Sequence, residues 1–118
     1  MTMREFVYGG KSFPFDIDEY EDAKRYNDAL KALLSTQCPE RSVDQGGFIK
    51  LYCSAIRAFF DTIFGDGAAV ELIGESLNKR KYDTLYSSFL NFVNAQVNES
   101  NKRVQNAIQK YAPDGETE

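Results

Sequence analysis

The chain has 118 residues and a mass of 13.4 kDa, room for one compact domain. Hydrophobic residues make up 42%, including nine Phe and seven Tyr, which is enough apolar material for a real core and argues against wholesale disorder. There is no histidine and no tryptophan, so a Ser-His-Asp triad, a Cys-His dyad and any histidine-bearing zinc site are excluded.

The formal charge is −4, which argues against sequence-independent nucleic-acid binding, since that needs clustered Lys and Arg. The charges segregate. Residues 1–22 carry two basic and six acidic groups, and residues 75–110 carry six basic and three acidic. An acidic start and a mildly basic final helix are expected to attract one another, within the chain or between subunits.

The first sixteen residues read as a β-hairpin. Phe6-Val7-Tyr8 and Ser12-Phe13-Pro14-Phe15 flank Gly9-Gly10, a pair suited to the positive φ angles of a two-residue turn. That register sets Tyr8 opposite Lys11 and Phe6 opposite Phe13, with Phe6, Tyr8, Phe13 and Phe15 on one side. An isolated hairpin is barely stable in water, so this aromatic side must pack on helices or on another subunit.

A first helix is predicted from Asp18, whose carboxylate would cap it, with Glu21 in the reciprocal capping-box position. Tyr20, Ala23, Asn27, Leu30, Leu33 and Leu34 form its expected stripe, and Pro39 ends the segment. A second helix is predicted from Ser42, with Gln45 as its box partner. Its wide apolar stripe, Phe48, Ile49, Tyr52, Ala55, Ile56, Phe59, Phe60, Ile63 and Phe64, marks it as the central element. Gly65 closes it. A short helix over 67–73 follows, capped by Asp66 and ended by Gly74.

The last helix is predicted over 78–111. Tyr82, Leu85, Tyr86, Phe89, Phe92, Val93, Val97, Val104 and Ile108 trace its stripe. Thirty-four residues at 1.5 Å each would extend about 50 Å, so its last turns must project, kink or pack on a neighbour. The whole reads as an all-α bundle of three main helices with a small N-terminal β-hairpin (residues 4–16). It forms one domain over 1–111, with an acidic tail, 112–118, expected to be disordered.

Catalytic chemistry finds little footing. Asp16, Asp18, Glu19, Glu21 and Asp22 cluster at a helix start, where capping explains them. A calcium loop opening at Asp16 would put Glu21 where glycine is needed and Asn27 where glutamate is needed. Gly46-Gly47 and Gly65-Asp66-Gly67 lack the Gly-Lys-Ser/Thr ending of a phosphate loop. Cys53 reads as a small buried hydrophobe, and Cys38 has no histidine to activate it. No apolar run reaches the roughly 20 residues of a membrane span, and no signal peptide is evident. The expectation is a soluble protein of a reducing compartment with two free thiols and no enzyme activity, metal or cofactor.

The aromatic-x-aromatic-Gly-Gly-Lys-x-Phe-x-Phe segment, the acidic opening of the first helix, Phe59 to Ala68 and Phe89 to Asn94 together resemble tail assembly chaperones of long-tailed phages and prophages of Gram-positive bacteria. The similarity spans residues 4–111. The resemblance implies a small helical protein of the bacterial host cytoplasm. It would bind the long tape-measure protein, leave as the major tail protein polymerises, and be absent from finished particles. A head–tail connector or tail completion protein, retained in the virion, is the alternative. Two partner surfaces are expected: Phe6, Tyr8, Phe13 and Phe15 on the hairpin, and Tyr82, Tyr86, Val104 and Ile108 on the last helix. Self-association into a homo-oligomer is expected as well.

Overall fold

The computed structural model describes residues 4–36 and 45–111. Two short strands, β1 (Glu5–Tyr8) and β2 (Lys11–Pro14), precede helices α1 (Tyr20–Leu34), α2 (Gln45–Phe64), α3 (Ala68–Ile73) and α4 (Lys79–Tyr111). This is the expected all-α bundle of three main helices with an N-terminal hairpin.

The strands pair antiparallel with Phe6 opposite Phe13 and Tyr8 opposite Lys11. The register follows from the turn, where Gly9 and Gly10 take φ of 57° and 81°, angles that side-chain-bearing residues resist. Phe15, one residue beyond β2, donates its backbone N–H to the Arg4 carbonyl at 2.9 Å and so prolongs the ladder. Phe6 and Phe15 are buried, and Tyr8 and Phe13 are half-buried against the same core. The hairpin's aromatic side is thus occupied by the chain's own helices. Phe6 and Phe15 have no surface left for a partner, which corrects the expectation of a free docking face there.

The core converges on Phe89 of α4. Its ring centroid lies 5.2 Å from Phe6, 5.5 Å from Phe15, 5.3 Å from Phe60 and 5.6 Å from Phe64, spacings at which edge-to-face pairs are favourable. Helix α2 packs on α1, α3 and α4, the central position its wide stripe predicts.

Helix α1 is turned relative to its predicted stripe. Ala29 is buried, Tyr26, Leu30 and Leu33 pack against the core, and Tyr20 and Leu34 stand 70% and 73% exposed. Tyr26 decides the rotation, because its ring meets Phe15, Phe59 and Phe89. The N-cap is Glu19, with no side-chain cap bond. Asp18 is engaged elsewhere, as shown below. The predicted start of the second helix at Ser42, Cys38 and the tail after Tyr111 lie outside the described residues.

Helix α2 closes at Gly65, whose N–H donates to the Asp61 carbonyl at 2.8 Å. Gly67, not Asp66, is the N-cap of α3, and no side chain caps it from that position. Asp61, one turn back on α2, instead accepts the Ala69 N–H at 3.0 Å. The cap of the short helix is therefore borrowed from its neighbour. Asn78 caps α4 in the ordinary way, its side-chain oxygen accepting the Lys81 N–H at 3.1 Å.

A polar clasp ties the hairpin–α1 linker to α4. Gln96 is buried. Its Oε1 accepts the Ile17 N–H at 2.8 Å and its Nε2 donates to the Phe15 carbonyl at 2.9 Å. One and two turns further on, Ser100 and Arg103 donate to Asp18. These bonds hold the Asp18 carboxyl below its usual range. The attraction between acidic start and basic last helix is thus made within the chain. Residues 101–110 are all exposed, and the molecule measures 62 × 32 × 21 Å, so past the Arg103 contact the end of α4 projects as an arm.

Replacing Gln96 with Leu strands the Phe15 carbonyl and the Ile17 N–H together, so Gln96→Leu is expected to cost about 2–4 kcal/mol. Urea denaturation should show a lower midpoint at an unchanged slope.

Candidate functional site

Two surfaces combine concavity with unusual composition. The first is an apolar groove where the second half of α1 crosses α2. A cavity of about 200 Å³ is lined by Leu33, Thr36, Tyr52, Ala55, Ile56 and Tyr86. It adjoins one of about 70 Å³ lined by Ala29, Ala32, Leu33, Thr36, Ala55, Ala58, Phe59 and Thr62. Leu33, Thr36 and Ala55 border both, so the two are one continuous trough. Its floor is low because small residues face each other: Ala29 and Ala32 from α1, Ala55 and Ala58 from α2. Alanines three apart lie on one helix face, and where both helices carry such a pair the side chains leave the space between them unfilled.

The second is a polar cleft of about 410 Å³ where the starts of α2 and α4 meet, lined by Gln45, Ile49, Leu77, Asn78, Lys79, Arg80 and Asp83. Two of its ionisable groups, Lys79 and Asp83, are spent on one another and on the neighbouring Tyr52. The Tyr52 hydroxyl donates to Asp83, Lys79 donates to the other Asp83 oxygen at 2.9 Å, and the Lys79 ammonium sits 4.9 Å above the Tyr52 ring. Burial would raise Asp83, but the bonds from Tyr52 and Lys79 and the lysine charge outweigh it and hold the carboxyl below its usual range. Tyr52 is pushed far up by burial and by the carboxylate beside it. Neither group is poised to exchange a proton near neutral pH.

A parallel tie lies one helical turn along. Arg57 donates to the Tyr82 hydroxyl at 3.0 Å and to the Glu75 carbonyl at 3.2 Å. Cys53 is fully buried between these ties, and burial raises its thiol, which makes it a poor nucleophile. The arrangement is a brace between α2 and α4. Among the described residues no three His, Cys, Asp or Glu side chains converge as a metal site, and no helix is long and apolar enough to cross a membrane.

Of the residues singled out in the last helix, Tyr82 is buried and Tyr86 half-buried. Tyr82 therefore belongs to the brace rather than to a free surface, because Arg57 caps its hydroxyl. Tyr86 lines the groove. Val104 and Ile108 are 52% and 62% exposed on the arm. The eight predicted interface residues thus divide among core, groove and arm. Most of the groove's lining lies outside that set; its sequence signal was the spacing of Ala29, Ala32, Ala55 and Ala58.

A model for a family of unknown function, DUF6673, matches residues 9–118, all of the chain after β1 with the hairpin turn included. The chain belongs to the DUF6673 family. No curated protein matches the chain significantly, and no solved structure does. For this DUF6673 member the matched range contains the groove, the brace, the clasp on Gln96 and the arm.

The brace gives a pH-dependent prediction. Because the folded carboxyl of Asp83 titrates below its ordinary value of 3.8, its contribution to stability is complete above that pH and is lost as pH falls through the folded value. Tyr52→Phe removes one bond holding it down. The variant should lose about 1 kcal/mol at neutral pH and show a smaller further loss on acidification below pH 3.8 than the wild type. Thermal melts across that range, with a carbon-13 titration of the Asp83 carboxyl, check both parts.

Proposed function

We propose that this chain is a non-enzymatic protein-binding module that holds an apolar helical segment of another protein in the α1–α2 groove. Its resemblance to phage tail assembly chaperones makes the tape-measure protein the client we assign, during tail morphogenesis in the host cytoplasm. The major tail protein is the second partner implied. The groove is the observation that carries the reading. It is a trough floored by alanines and walled by Leu33, Ile56 and Tyr86, the shape and chemistry that accept the apolar face of a helix. A long helical client of this kind needs such cover while its own partner surface is unassembled.

The test is co-expression with the tape-measure protein of the same gene cluster, scored as soluble co-eluting complex by size exclusion with light scattering. A complex that forms only when this chain is present is the expected result. Ala32→Glu with Ala58→Glu places charge at two exposed groove positions and should abolish co-elution while leaving the melting temperature within about 3 °C. A tape-measure protein that is equally soluble alone, or that never co-elutes, overturns the reading. If this chain is then found in purified particles, the connector or completion role takes its place.

A further inference from the structure

The outward side of α4 is unlike an ordinary solvated helix face. From Leu90 to Ile108 a row recurs at alternating spacings of four and three: Leu90, Asn94, Val97, Asn101, Val104, Ile108. That is the seam of a coiled coil, with Leu90, Val97 and Val104 at one core position and Asn94, Asn101 and Ile108 at the other. Leu90 and Val97 are half-buried at the edge of the body, and Val104 and Ile108 stand free on the arm. Asn91, Asn98 and Gln105 flank the row and are exposed. The charged residues of this stretch, Glu99, Lys102 and Arg103, fall on the other sides of the helix. Among the described hydrogen bonds, none uses the carboxamides of Asn91, Asn94, Asn98, Asn101 or Gln105.

We propose that this seam is occupied by a second copy of the chain, its α4 lying parallel and in register. Two features choose that occupant. In a chain of net charge −4, a face bare of charge over about five helical turns is what a homotypic contact requires, because any charge on it would meet its own image across the two-fold axis. A carboxamide is also self-complementary, carrying both donor and acceptor. Asn94 and Asn101 meet their own copies only when the helices run parallel and in register. Antiparallel pairing sets them against Leu and Val and leaves buried amides unpartnered, at a cost. Asparagine at this core position trades stability for orientation.

The seam spans about 27 Å of helix, so the interface falls at the small end of specific contacts and the dimer should dissociate in the micromolar range. It uses a different surface from the groove and does not depend on the client reading.

The test is sedimentation equilibrium of the full chain alone from about 1 to 300 μM. The mass should rise from 13.4 kDa towards twice that value, with a midpoint of about 1–100 μM. Val104→Asp with Ile108→Asp alters two side chains that are already exposed, so helicity and melting should be unchanged while the dimer weakens at least 100-fold. Asn101→Cys in a Cys38→Ser background should form an intermolecular disulfide on mild oxidation, and Asn101→Lys should weaken the dimer at least tenfold. A wild-type chain that is monomeric throughout overturns the proposal and leaves the seam to a different chain. A dimer indifferent to the Val104 and Ile108 substitutions overturns it as well. A dimer that obeys them but gives no crosslink through position 101 overturns the parallel register.

Discussion

The ring of Phe89 sits where the hairpin, α1 and α2 all arrive. The hairpin reaches it through Phe6 and Phe15, α1 through Tyr26, and α2 through Phe59, Phe60 and Phe64. Two strands of four residues bury too little to stand alone, and α1 has only one fully buried residue, Ala29. Neither element has a stable position except against a surface already presented by α2 and α4. The fold is therefore a helical pair with two dependants rather than four equal parts, and a single aromatic side chain supplies the meeting point.

What rings do for the core, amides and carboxylates do at its margin. Gln96 satisfies a backbone acceptor and a backbone donor of the linker at once, so the chain can cross from hairpin to α1 in an irregular, half-buried path without orphaned polar groups. Asp18 then reaches Ser100 and Arg103. These contacts also mark where the body stops. Beyond Arg103 nothing in the described chain covers α4; the groove lies wholly within the body, whereas the seam starts on the body's edge at Leu90 and runs across that division onto the arm.

Local chemistry was readable from the sequence wherever it decided the outcome alone. Gly9-Gly10 fixed the hairpin register, the wide stripe of α2 marked it as central, and the length of α4 required its last turns to project, kink or pack on a neighbour. Long-range choices were not readable. The apolar residues of α1 fit two rotations of the helix, and the selection of Tyr26 over Tyr20 depends on rings that come from β2's end, α2 and α4. Asp18 has the spacing of a cap, yet its charge is better satisfied by an arginine 85 residues away. Asp66 likewise yields to Asp61, whose position after the α2 turn no local pattern encodes. The aromatic hairpin face was recognisable as a surface that needed covering, but composition does not say whether the cover is the chain's own. The groove left the faintest trace, because it arises from what alanine lacks.

The clasp has a consequence for how the molecule comes to exist. Its two bonds to Gln96 join residues 79 and 81 positions apart, whereas the corner between α2 and α3 closes over eight. During synthesis the strands leave the ribosome before the helices, and the glutamine and the phenylalanine at the centre of their contacts follow after roughly 4–16 s at ordinary elongation rates. For that interval Phe6 and Phe15 lack the Phe89 ring they pack against, and α2 and α4 must come together before the hairpin can seat fully. The strands, made before the helices, are finished after them.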